Sequence, residues 1–112
     1  MEKEIIKAKI EELLFSLGFN HASVNLAKKT NEGQAAISCY KYDDLYCNIT
    51  FVRQNDINGE PKDWVLIEYA DSLYQAERWM FEDGDMISLD VPIEQIIFEL
   101  KVELLEAINS RT

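Results

Sequence analysis

The apolar residues of this chain change their period twice, and that limits the folds open to it. From Lys3 to Leu17 they recur at helical spacing. Ile6, Ile10, Leu13, Leu14 and Leu17 form one stripe, while Lys3, Lys7, Glu11 and Glu12 sit on other sides. From Leu45 to Val52 the period is two: Leu45, Cys47, Ile49 and Phe51 alternate with Tyr46, Asn48, Thr50 and Val52. Beyond Asp90 the helical spacing returns. A chain that reads helix, sheet, helix belongs to the α+β class.

The intervening signals fill in the order. Gly18 follows the first helix as its C′ residue, because glycine takes the left-handed conformation without a Cβ clash. SVNLAKKT (Ser23 to Thr30) alternates weakly and reads as a strand or as a short helix capped by Ser23. Asn31 to Gly33 is a turn. QAAISCYKY alternates at Ala35, Ile37 and Cys39, and a turn over Tyr42-Asp43-Asp44 would set Cys39 opposite Cys47. A polar loop with Asn58-Gly59 and Pro61 leads to the strand WVLIEYA. Ser72 and Gln75 have capping-box spacing for a helix that runs to about Met80. The last helix begins near Asp90 to Pro92, with Asp90 as its cap, and continues to about Ile108. The expectation is one domain over 1–112, ordered α-β-β-β-β-α-α. Its four-stranded antiparallel sheet carries helices on one face. The other face, with Tyr40, Tyr46, Thr50 and Trp64, is expected to be partly exposed.

Charge narrows the function. The net charge is −10. The first 67 residues hold ten acids and eight bases, and the last 45 hold eleven acids and three bases. Such a field repels phosphate, so neither nucleic acid nor an anionic membrane surface is an expected partner; a basic protein is. No apolar run reaches the length of a membrane span, and the N-terminus lacks the unbroken apolar stretch of a secretory signal, which points to a cytoplasmic protein.

Motifs for chemistry are sparse. Two cysteines and one histidine give no usual zinc pattern, and both cysteines fall on the core-facing parity, as buried reduced thiols would. A dyad of either with His21 is the nearest approach to a nucleophile. FEDGDMISLD concentrates Glu82, Asp83, Asp85 and Asp90 around Gly84, and DINGE (Asp56 to Glu60) also alternates oxygens, but neither has the spacing of a calcium loop. The first reads as a solvated acidic turn. No catalytic residue, cofactor or metal ligand is assigned.

The last helix is the least ordinary element. Ile93, Ile96, Ile97, Leu100, Leu104 and Ile108 form the expected core stripe. Phe98, Val102 and Leu105 form another, roughly 140° around at ~100° per residue. One stripe suffices to cover a sheet; the additional one is covered either by the first helix or by another molecule. Glu82, Asp83, Asp85, Phe98, Val102 and Leu105 are therefore the expected partner-binding residues. In size and charge the chain resembles small bacterial immunity and anti-defence proteins. That likeness implies a non-enzymatic domain whose acidic surface engages a basic protein, and it supplies no site residues. The alternative is a structural or regulatory homodimer joined through the last helix.

Overall fold

The computed structural model describes residues 3–22, 34–78 and 80–111; for residues 34–38 and for Asp83 it describes the backbone. The elements are α1 (Lys3–Ser16), β1 (Asn20–His21), β2 (Gln34–Tyr42), β3 (Leu45–Asn55), β4 (Pro61–Ala70), α2 (Leu73–Glu77), β5 (Glu82–Ser88) and α3 (Ile93–Asn109). The strands form one antiparallel meander in chain order, β1 to β5. The class is the expected α+β, with five strands among the described residues where four were expected. The expected strand or helix over Ser23 to Thr30 lies outside the described residues.

α1 and α3 lie over one face of the sheet. Ile6, Ile10 and Leu14 of α1 and Ile96, Leu100 and Leu104 of α3 are fully buried against Ile49, Val65 and Ile67. Gly18 ends α1 at φ +100°. α2 departs from the expectation of helices on one face. Its Ala76 packs with Cys39, Tyr46 and Ala70 on the opposite face. Ser72 caps α2 as expected, its Oγ accepting from Gln75 N–H at 3.2 Å, while the Gln75 side chain accepts from Asp71 N–H at 2.8 Å. The face expected to be partly exposed is largely closed: Tyr46 and Thr50 are buried and Trp64 is half-buried.

One local detail overturns the expected pairing of the cysteines. The β2–β3 turn has two residues, Asp43 and Asp44, with Asp43 at φ +50°, a region that Asp tolerates better than most residues. Tyr42 therefore pairs with Leu45, Tyr40 with Cys47, and Cys39 with Asn48. A shift in register between Ala36 and Ser38 adjusts the remainder of the strand. A one-residue slip moves every side chain to the other face. Tyr40 thus faces the helices, fully buried, its hydroxyl donating to Glu11 at 2.9 Å. Cys39 joins the cluster under α2.

Two further corrections concern the acidic segment. FEDGDMISLD is no solvated turn: Glu82–Ser88 form the edge strand β5, paired with β4. Asp90 does not cap α3. Pro92 occupies the N-cap position without a side-chain cap, and Asp90 lies two residues upstream, its N–H held by Ser88 Oγ at 3.1 Å.

Candidate functional site

β5 pairs with β4 on one side, and among the described residues no strand pairs with its other side. The chain leaves β5 at Ser88 and returns over the same region as α3. The buried stripe of α3 faces the sheet. Its other stripe is exposed: Phe98 by 66%, Val102 by 41% and Leu105 by 38%. α1 covers none of the three enough to bury it. Between the edge and the helix runs a groove of ≈ 360 Å³, lined among others by Asp85, Ile87, Phe98, Glu99, Val102 and Glu103.

The groove combines apolar and acidic groups. Asp85 lies opposite Ile67, and Ile87 opposite Val65, so both point to the helix side of the sheet. Partial burial, together with the negative charges of Asp85 and Glu106, holds the Glu103 carboxyl above its usual range. Tyr69 makes only a long contact with it, 3.5 Å from the hydroxyl to Oε1. Asp85 also accepts from the Met86 N–H at 2.9 Å.

Gly84 keeps β5 close to its neighbour. A Cβ at this position would meet Glu68 Cγ at 3.0 Å and the Ile67 carbonyl oxygen at 3.1 Å. The glycine is in the strand for close approach rather than for turning the chain.

The expected partner-binding residues divide as follows. Asp85, Phe98 and Val102 meet in the groove. Leu105 continues their stripe one turn onward, and Glu82 begins β5, opposite Tyr69. The Asp83 side chain lies outside the described residues. Glu99 and Glu103 went unassigned in the sequence. Their spacing of four places them on one side of α3 beside Phe98 and Val102, and that spacing was the available signal.

The other candidates are placed as follows. Among the described residues no three His, Cys, Asp or Glu side chains gather as metal ligands would. In DINGE the Asp56 carboxylate accepts from the N–H groups of Asn58 at 2.8 Å and Glu60 at 3.0 Å. The Glu60 amide above all holds its pKa below the ordinary value. Asp56 is thus engaged in bracing the β3–β4 turn. Both cysteines are buried thiols. Burial pushes Cys39 up to about 11 and raises Cys47 well above the usual thiol value, the reverse of what a nucleophile needs. His21 stacks on Tyr40, ring centroids 4.9 Å apart.

The fold and the groove together define an α+β domain with a sheet edge that no described strand pairs, flanked by an apolar, acid-rimmed helix face. Comparison with protein-family models, curated proteins and solved structures finds no match. Among the described residues no helix is long and apolar enough to cross a membrane.

Proposed function

We propose that this chain is a non-enzymatic protein-binding domain whose β5–α3 face engages a basic protein partner. The observation that carries the reading is the row Phe98, Val102 and Leu105, exposed and aligned beside the carboxylates of Asp85, Glu99 and Glu103. Burying a large apolar side chain is worth ~1.5–3 kcal/mol, and three of them left in water side by side are stabilisation withheld from folding and available for binding. The surrounding acids select the sign of the partner and speed its approach. A small immunity or anti-defence protein that blocks the basic cleft of a nucleic-acid-cutting toxin would act in this way.

A homodimer through the same face is the competing reading. A two-fold interface sets the same patch against itself. Here that would bring Asp85, Glu99 and Glu103 against their own copies, and like charges opposed across an interface are costly. Charge therefore favours the basic partner.

The test compares the parent with Phe98→Asp plus Leu105→Asp as immobilised bait in a lysate of the source cells. The parent should retain a basic protein that the folded double variant does not, and added salt should release it. Retention of an acidic protein, or equal retention by both baits, sinks the reading.

A further inference from the structure

We propose that the open edge of β5 receives an extended basic segment of the partner as a sixth strand, its inward side chains seated in the groove against Phe98 and Val102. This rests on the protein-binding reading above and names the form the partner takes. The first support is shape. The groove holds ≈ 360 Å³ and is walled on one side by four consecutive strand residues, Asp85 to Ser88. A helix about 10–12 Å across does not enter such a space. A strand lying ~4.8 Å from β5 does, and it places every other side chain under the overhanging stripe of α3.

The backbone gives the next support. An edge strand presents N–H and C=O groups that a neighbouring strand would pair. The Met86 N–H donates to the Asp85 carboxylate at 2.9 Å. A cationic side chain that draws the Asp85 carboxylate away leaves that amide to an incoming carbonyl.

The third support is register. Ile87 and Asp85 are consecutive inward residues of β5. A strand beside them presents one inward side chain next to Ile87 and Phe98, where an apolar group fits. Its next inward side chain lies by Asp85, within reach of Glu99 and Glu103, where arginine or lysine fits. The recognised segment therefore carries an apolar and a basic residue two positions apart. Opposite charges across adjacent strands stabilise the pairing, and another copy of β5 would bring like charges instead.

The probe is a short synthetic peptide alternating valine and arginine on one face, with threonine on the other. It is compared with the same peptide N-methylated at alternate amides, on the edge that would face β5. Binding is followed by titration, and exchange of the Asp85–Ser88 amides by NMR. The expected result is binding that slows Met86 amide exchange about tenfold or more, and that weakens at least about tenfold on N-methylation. Glu99→Gln should weaken it without changing the fold. Binding that ignores N-methylation and leaves the β5 amides unprotected overturns the sixth strand, while the basic-partner reading stands on its own bait experiment. Absence of binding also overturns the sixth strand. Preference for a peptide with glutamate in place of arginine overturns both. So does a dimer of the parent in light scattering that Phe98→Asp dissociates, because another copy then occupies the face.

Discussion

Two stripes of the same helix share a composition and differ in fate. Ile96, Leu100 and Leu104 are wholly inaccessible to solvent, whereas Phe98, Val102 and Leu105 stand open by 66%, 41% and 38%. Both are built of large apolar residues at helical spacing, so hydrophobicity alone does not separate them. The separation comes from what lies opposite. The buried stripe packs with the middle strands of the sheet, whereas Phe98 and Val102 of the exposed one border the groove beside its last strand. A helix set over the rim of a sheet serves the core with one side and leaves the other exposed.

Truncation gives the largest test of that division. Leu100→Ala removes a fully buried side chain and should cost ~2–5 kcal/mol of unfolding free energy. Phe98→Ala should stay within about 0.5 kcal/mol, as surface substitutions do. Chemical denaturation measures both. A thiol reagent gives an independent readout, since Cys47 is fully buried and reacts only when the structure opens. Its labelling should accelerate strongly in Leu100→Ala and hardly at all in Phe98→Ala. Equal costs for the two substitutions would erase the distinction and return Phe98 to the core.

The buried stripe was legible in the sequence, and the site beside it only in part. Helical period, Gly18 and the Ser72 cap are local signals, and the fold keeps all three. β5 was not legible because Glu82, Asp83, Gly84 and Asp85 all score against a strand. An edge strand tolerates carboxylates that a central one would exclude, and edge position is a property of the whole sheet. The cysteine register failed for a smaller reason: the hairpin turns over two residues, Asp43 and Asp44, where three were expected, and the shorter turn places Asp43 at positive φ. The apolar half of the site, Phe98, Val102 and Leu105, came from periodicity. Its neighbourhood with Asp85 depended on recognising the strand.

Gly84 offers an intermediate test, because it sets β5 at its distance from β4. Gly→Ala at a compatible site usually stabilises by ~0.4–1 kcal/mol. Here the added Cβ would press on the Ile67 carbonyl at 3.1 Å, and backbone yields less readily than a side chain. Gly84→Ala should therefore destabilise by ~1–3 kcal/mol, as overpacking does. It should also weaken peptide binding at the groove beyond what the stability loss explains, since β5 must move. A neutral or stabilising effect in thermal melts would mean that the edge strand is free to shift and that the groove has no fixed width.

The smallest effect concerns the charge of the exposed side. Partial burial and the charges of Asp85 and Glu106 raise the Glu103 carboxyl above its ordinary value. A raised carboxyl binds its proton more readily in the folded state than in the unfolded one. Its contribution to stability is therefore fullest below the unfolded value, near ~4.3, and is lost as pH rises through the folded value. At neutral pH the ionised group opposes folding, so Glu103→Gln should raise the melting temperature slightly. Its carboxylate is partly solvated, which limits the gain to a few tenths of a kcal/mol, about what an exposed charge pair is worth. The difference from the parent should shrink below pH ~4, where both side chains are neutral, and at high salt, where Asp85 and Glu106 are screened. The basic peptide should close the same gap at neutral pH by supplying the missing positive charge, stabilising the parent more than Glu103→Gln. A loss of stability in Glu103→Gln at neutral pH would show that the 3.5 Å contact with Tyr69 outweighs the repulsion, and Glu103 would then belong with the buried side of the helix.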